Sequence, residues 1–546
     1  MHLASSRFFN DLLSLKYLRI KRGNKLDFSL PTEIANSDII GLAVLFVFVL
    51  LSLFIAEILR RKDKVSGSTS RKIVHLSVGN VVLLFPFVFT NIWFAMIGPV
   101  FFIPFTYFTG PGSPIKKFRL KGVSEGHTYG TVFYAISLTT LVVLFFSPDK
   151  TNPTNIILFG AFMPLVWGDG ISAVIGSKFG NDKAYNIWGG TKTLLGSWSA
   201  AFATFGAVTI SCLILSQTVV LSIYLGLLTG FITAFVEALT PKGFDNIAVP
   251  AANAIVLFIL YKSSFSFVSS LSNNAMIAGV VVGLVLAFSG IILKALTWDG
   301  ALAGLYFGLV ILGLGSWTWG VMYFTFFILG SLATFLGKNK KKSISQEFEK
   351  GDTRRDSVQA MVNSVLPAFL AFLVILFRDP IITVIAGGAI AVSLADTLGT
   401  EIGALSKFKP RSSIKPWVKT EQGSPGAVSI LGLLASVLGA GIIAFSGFGV
   451  SFIDNYTVFP TSMWAFIIPV IVGGLIGSYF DSIFACTIQK LNRCIICEKI
   501  TEKKVHCEVE TEYYSGVKWL RNDFVNLFSI IVGAIVSLLL YFIWMF

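Results

Sequence analysis

Asp169 and Asp396 stand at the ends of two apolar runs, FGAFMPLVWGD and GGAIAVSLAD. An ionisable side chain there must be stabilised against hydrocarbon, which makes it a functional candidate. Each is followed seven residues later by a glycine (Gly176, Gly403) and 23 residues later by a lysine (Lys192, Lys419). Each lysine precedes a threonine (Thr193, Thr420) and then a Gly-Ser pair (Gly196-Ser197, Gly423-Ser424). A carboxylate can hold Mg²⁺ or orient an attacking oxygen, and Mg²⁺ prefers carboxylate and phosphate oxygens. A lysine, a hydroxyl and free N–H groups at a helix start suit phosphate. Binding of a Mg²⁺–nucleotide is therefore expected, with Asp169, Lys192, Asp396 and Lys419 as catalytic residues. The alternative for each aspartate is a helix cap or a helix–helix hydrogen bond. Recurrence at matching offsets favours chemistry.

A second, weaker echo lies upstream of each aspartate. Arg71-x3-His75 in SRKIVHLSVGN parallels Arg355-x3-Gln359-x3-Asn363 in RRDSVQAMVNS. Positions four apart share one helix face, so each stretch carries polar groups on one side of a helix and could bind phosphate. His75 could equally be a buried histidine with a backbone partner. Glu237 and Asp245 in FVEALTPKGFDN, together with Glu401 and Asp481, are further candidate Mg²⁺ ligands; helix capping is the competing reading. Cys494-x2-Cys497 followed by the adjacent pair His506-Cys507 could hold Zn²⁺. The alternative there is a packed loop with free thiols.

The elements that carry these residues are membrane helices. Hydrophobic residues make up 54% of the 546-residue chain and charged residues 13%, against about 25% charged in soluble domains. Mean hydropathy is +0.77. These values exclude a soluble globular enzyme, a disordered chain and a disulfide-rich secreted domain. Roughly 16 segments are apolar enough to be spanning helices, each needing about 20 residues. The expected fold is an all-α, polytopic membrane bundle in two halves of the same orientation: a tail at 1–37, then membrane domains at 38–262 and 275–546.

Alternating loops sort the charge. Of 43 Lys and Arg residues, 34 fall in loops on one side, which the positive-inside rule assigns to the cytoplasm. The sites are therefore expected to face the cytoplasm. Six basic residues in the N-terminal tail break the pattern; an interfacial helix, an organelle transit peptide or a miscounted span would account for them.

Stretches of the first half, RKIVHLSVG (71–79), GDGISAVIGSKFG (168–180), TKTLLGS (191–197) and EALTPKGFDNIAVP (237–250), resemble the polyprenol kinase family of phytol kinase and dolichol kinase. They are also distantly similar to phosphatidate cytidylyltransferase. In the second half, LTWDGALAG (296–304), ADTLGTEIG (395–403), VKTEQGSPGAVS (418–429), GSYFDSIFACTIQ (477–489) and GVKWLRNDFVN (516–526) resemble the transmembrane-protein-19-like family that includes phytyl-phosphate kinase. The resemblance implies CTP, or another nucleoside triphosphate, as phosphoryl donor with Mg²⁺, and a prenyl alcohol as substrate.

The expected function is a bifunctional isoprenoid salvage kinase that makes a prenyl monophosphate and then the diphosphate. Its partners would be membrane lipid and nucleotide, not nucleic acid. A CTP-dependent lipid cytidylyltransferase is the same-class alternative. A tandem-repeat transporter is the alternative of another class.

Overall fold

The computed structural model describes residues 35–62, 67–110, 129–179, 184–187, 190–241, 243–262, 273–335, 354–454, 458–502 and 505–545. Residues 1–34 of the N-terminal tail and Gly180 lie outside them, as does the side chain of Arg71. Of the described residues 76% are helical, and twelve described helices are long and apolar enough to cross a membrane. Three shorter apolar helices, Lys72–Val88, Gly130–Phe145 and Ala278–Ile292, coincide with further segments expected from hydropathy. The protein is an all-α polytopic membrane protein.

The chain divides into two compact units. One comprises Met1–Phe162 with Lys242–Ala254 and the other Met163–Pro241 with Ile255–Phe546. In the first unit, α1 (Asn36–Arg61), α2 (Gly67–Asn80), α3 (Phe85–Val88), α4 (Ile92–Thr109), α5 (Gly130–Phe145) and α6 (Thr154–Met163) follow one another. Asp38, almost fully buried at the start of α1, accepts hydrogen bonds from the Thr90 backbone N–H at 2.7 Å and the Thr90 hydroxyl at 2.6 Å. A buried carboxylate needs such donors. Phe46, Phe101, Phe102 and Phe105 pack α1 on α4 through stacked and edge contacts.

The second unit opens with the wide turn Pro164–Asp169, followed by α7 (Gly170–Phe179), the ribbon β1 (Ala184–Ile187) and β2 (Gly190–Thr193), α8 (Leu194–Ile214) and α9 (Val219–Leu239). After α10 (Asp245–Lys262) come α11 (Asn273–Ile292), α12 (Trp298–Phe335), α13 (Ser357–Phe377) and α14 (Pro380–Gly403). A ribbon of β3 (Arg411–Ser412) and β4 (Ala427–Val428) leads to α15 (Ile430–Ser451) and α16 (Trp464–Thr487). Five short strands, β5 (Leu491–Arg493), β6 (Ile500–Thr501), β7 (Val505–His506), β8 (Val509–Glu510) and β9 (Glu512–Ser515), precede α17 (Asn522–Met545).

Helix α12 is two helical segments that fold back on one another at Ser316, whose φ is 80°, so that Gly304 comes against Phe327 and Gly308 against Phe324. The break frees backbone groups that must be paired in an apolar setting. Buried Asp454 accepts from the Ser316 hydroxyl at 2.7 Å, the Thr318 N–H at 2.8 Å and the Thr318 hydroxyl at 3.0 Å. Helix α14 lies at the centre of the second half, packed against α12, α13, α15, α16 and α17. Small residues make that possible, since Ala386, Gly387, Gly388, Ala389, Ala391 and Ala395 are all buried. Close helix approach through small residues is the usual packing mode where lipid removes the hydrophobic drive between helices.

Candidate functional site

The second-half cluster is built at one end of this central helix. Asp396, Thr397 and Glu401 lie on the last turns of α14, Asp481 near the end of α16, and Arg355 just ahead of α13. All five are half-buried. The backbone holds Arg355 in place: its N–H donates to Ala295 at 2.9 Å, and its carbonyl accepts from Thr297 at 3.0 Å. The Ser357 hydroxyl then donates to Asp299 at 2.7 Å, while Asp356 caps α13 by accepting from the N–H groups of Val358 and Gln359.

The guanidinium lies over the Phe326 ring, 5.4 Å from its centroid, and Nη2 donates to the Thr397 hydroxyl at 3.4 Å. A methyl group on Gly330 would stand 2.7 Å from that nitrogen, so the glycine makes room for the arginine. Nη1 has no hydrogen-bond partner among the described residues. Burial pulls the Arg355 pKa below its usual value, while the charges of Glu401, Tyr323 and Asp396 oppose that; an arginine stays protonated regardless. Asp396 in turn neighbours Asp481 electrostatically. Asp481 accepts from the Ser529 hydroxyl at 3.1 Å and, with the Asn526 amide turned so that its NH₂ meets the carboxylate, from Asn526 at 2.9 Å.

The cluster therefore offers three carboxylates and a cation with a spare donor. Carboxylate oxygen is the donor type that a hard divalent cation such as Mg²⁺ takes, although Asp396, Glu401 and Asp481 are not gathered as closely as Cys494, Cys497, His506 and Cys507. The arginine, which has an unsatisfied buried N–H, fits a phosphate oxygen.

The first-half cluster is differently wired. Helix α8 packs against α7, α9 and the turn Pro164–Asp169, drawing the segments of Asp169, Lys192 and Glu237 together. Lys192 is buried, and its ammonium donates to the Glu237 carbonyl and, at 3.0 Å, to the Glu237 carboxylate. The other carboxylate oxygen accepts from Ser197 at 3.1 Å. Two candidates expected to act separately, as phosphate ligand and metal ligand, are thus an ion pair. Asp169 ends a six-residue π-helical turn, a local widening that is frequent at functional sites.

Both halves share one local construction. In the first, β2 runs into Thr193, which caps α8 by accepting from the Gly196 N–H at 3.1 Å. In the second, β4 runs into Ser429, which caps α15 by accepting from the Gly432 N–H at 3.0 Å. A Cβ on Gly176 would lie 3.2 Å from the Gly196 Cα, and one on Gly403 would lie 3.1 Å from the Gly432 Cα. The structural partner of Thr193 and Gly196 is accordingly Ser429 and Gly432. The sequence register alone sets them against Thr420 and Gly423. Thr420, Gly423 and Ser424 lie in the loop before β4, where Gly423 takes a φ of 84° in a turn. Lys419 is exposed there, whereas Lys192 is buried.

Among the other candidates, Asn363 donates to the Gln359 carbonyl at 2.8 Å, one turn back along α13. Asp245 is buried, and its carboxylate accepts from the N–H groups of Gly243 and Asn246, each at 3.0 Å, which is a capping arrangement at the start of α10. The His75 ring packs on Tyr134 with centroids 4.3 Å apart, and the Tyr134 hydroxyl donates to the His75 carbonyl.

Thr397, Asn526 and Ser529 escaped sequence reasoning. Asn522, Asn526 and Ser529 fall at helical spacing on an otherwise apolar α17, and that periodicity was the available signal.

The thiol cluster assembles as the spacing suggested. The ligand atoms of Cys494, Cys497, His506 and Cys507 all lie within 4.8 Å of one another. The Cys494 thiol is held down at about 6, chiefly because the Cys497 N–H donates to its sulfur. The Cys507 thiol is pushed up to about 11 by its hydrogen bond to Cys497.

Comparison with known proteins places this geometry in context. Residues 255–534 match the family described as integral membrane protein DUF92. The chain is 30% identical over 238 residues to the phytol kinase of Synechocystis, covering 42% of this chain and 92% of the relative. It is 28% identical to Protein PGR of Arabidopsis thaliana, covering 48% of this chain and 94% of the relative. It is also 28% identical to a probable phytol kinase 3, chloroplastic, of Glycine max, covering 40% of this chain and 72% of the relative. No solved structure matches.

Proposed function

Because the chain belongs to the integral membrane protein DUF92 family and is similar to a phytol kinase over nearly that enzyme's full length, we propose that it is a membrane kinase of prenyl alcohols and their phosphates. The observation that carries the reading is the half-buried cluster of Arg355, Asp396, Glu401 and Asp481 at one end of a central apolar helix. Charges in such a setting are costly and are kept for function.

In the step proposed for this cluster, an oxygen of the lipid substrate attacks the terminal phosphorus of a nucleoside triphosphate. The bond to the nucleoside diphosphate breaks, and any proton on the attacking oxygen passes to a carboxylate. In this reading Asp396 orients that oxygen, and Arg355 stabilises charge on the transferred group. Such catalysis is mostly positioning and electrostatics. Mg²⁺, held by Asp396, Asp481 and Glu401, would neutralise phosphate charge when bound. The surrounding apolar helices suit a long hydrocarbon tail.

The first-half cluster at Asp169 would serve the alcohol and the second the monophosphate, so that one chain yields the diphosphate. CTP is the proposed donor on the strength of the sequence resemblance. Both sites are proposed to open on the side of the basic loops, taken as cytoplasmic.

The test uses purified full-length protein with Mg²⁺, phytol or phytyl phosphate, and CTP, UTP or ATP, reading lipid products by mass spectrometry. Asp169→Asn is expected to abolish phosphorylation of the alcohol, and Asp396→Asn that of the monophosphate. The reverse pattern overturns the division of labour. Release of pyrophosphate with a CDP-linked lipid would replace the kinase reading with a cytidylyltransferase.

A further inference from the structure

The loop between α16 and α17 holds a group of side chains that phosphoryl transfer does not use. Cys494 and Cys497 flank a tight turn closed by the Cys494 N–H to Lys499 carbonyl bond and the Glu498 N–H to Cys494 carbonyl bond, each 3.0 Å. His506 and Cys507 come from the hairpin of β7 and β8, in which His506 pairs with Val509. That register leaves a two-residue turn of Cys507 and Glu508, both left-handed with φ of 52° and 63°. Such turns usually take Asn or Gly, so the cysteine there has a reason other than backbone preference.

His506 Nδ1 lies 3.4 Å from the Cys497 sulfur and 3.2 Å from the Cys507 sulfur. The Cys494 sulfur is buried and completes the group. A tetrahedron with metal–sulfur bonds of about 2.3 Å and metal–nitrogen bonds of about 2.0 Å has edges of about 3.5–3.8 Å. The two nitrogen–sulfur distances already stand near such an edge, and all four atoms lie within 4.8 Å of one another.

We propose that Cys494, Cys497, His506 and Cys507 form a closed, structural Zn²⁺ site that ties the two knuckles of this loop together. Three thiolates and one imidazole make a full tetrahedral set with no open position, which suits a structural site and not a catalytic one. What the site holds in place is also visible. The loop returns on itself where the Val517 N–H donates to the Ile488 carbonyl at 2.9 Å and the Lys490 N–H to the Leu520 carbonyl at 2.8 Å. Those bonds join the end of α16 to the start of α17, and Asp481 meets Asn526 and Ser529 between the same two helices. The metal therefore fixes the register of the helix pair on which the Asp481 hydrogen bonds depend. The Zn²⁺ assignment stands whether or not the kinase reading does.

Metal analysis of the full-length protein, purified in detergent without added chelator, tests the site. About one zinc per chain is expected. Cobalt(II) exchanged into the wild-type protein should give thiolate charge-transfer bands and the intense visible bands of a tetrahedral site. Cys497→Ser and Cys507→Ser should each lose most of the bound zinc. In the wild type, Cys494, Cys497 and Cys507 should resist alkylation until a strong chelator is added. Zinc at background level, a cobalt spectrum without thiolate bands, or immediate alkylation of the exposed Cys497 and Cys507 would overturn the proposal. The wild-type spectrum and alkylation decide the matter even if a cysteine variant fails to fold.

Discussion

Half-buried Arg355 and buried Lys192 are both cations among carboxylates, yet the structure gives them opposite characters. Lys192 is closed on Glu237, with Ser197 on the second carboxylate oxygen. Arg355 keeps one guanidinium nitrogen without a hydrogen-bond partner among the described residues, within the electrostatic reach of Glu401 and Asp396. Removing one member of a buried pair strands the other charge and typically costs about 3–5 kcal/mol. Lys192→Met should therefore lower the stability of the detergent-solubilised protein by about that amount, and adding Glu237→Gln should recover most of it. Equal thermal stabilities for the single and double variants would show that the pair carries no such energy.

Arg355→Gln should behave differently. It removes a group with a spare donor, so it should leave the melting temperature near wild type. Turnover on the lipid phosphate should fall by about 10²–10³-fold, the usual loss for a charge-stabilising donor. A large drop in melting temperature with unchanged turnover would assign Arg355 a purely structural role.

At the scale of elements, hydropathy located the helices because a spanning segment needs a long apolar run and little else. The long apolar run of α12 breaks at Ser316. Hydropathy could not identify Asp454 as the acceptor that makes the break tolerable, since the two are 138 positions apart. The repeat was legible as Asp169–Gly176 and Asp396–Gly403, where seven residues of helix hold the spacing rigid. It slipped beyond Gly403 because the loop to the next helix is free to lengthen. Thr420 precedes the true cap, Ser429, by nine residues. A hydroxyl cap and a glycine contact are weak sequence signals, so the Lys-Thr match overrode them.

The glycine contact supplies its own test. A side chain on Gly403 would press on the Gly432 Cα at 3.1 Å, whereas nothing lies within 4 Å of the Cβ position of Gly441 on the same helix pair. Gly403→Val should thus destabilise by about 1–3 kcal/mol, with Gly441→Val close to neutral in the same thermal assay. Similar effects at both positions would show that the contact does not control packing.

For the molecule as a whole, charge placement and site placement support one another. Arg355 precedes α13, Glu401 ends α14, Asp481 lies near the end of α16 and Asn526 near the start of α17, so all four mark one end of the second-half bundle. The loops that leave this end are the basic ones, with exposed Lys407, Lys409, Lys415 and Lys419 in one of them. The opposite end of α13 and α14 carries Arg378 beside Asp379. If the positive-inside rule holds, a cysteine at position 415 should react with an impermeant maleimide only from the cytoplasmic side of sealed vesicles. A cysteine at position 378 should react only from the other side. Nucleotide added to the same vesicles should support turnover only on the side that labels position 415, because the triphosphate cannot cross the bilayer to reach the carboxylates. Labelling of both positions from one side would break the helix order. Labelling as expected with turnover from the opposite side would move the reaction away from the Asp396 cluster while leaving the topology intact.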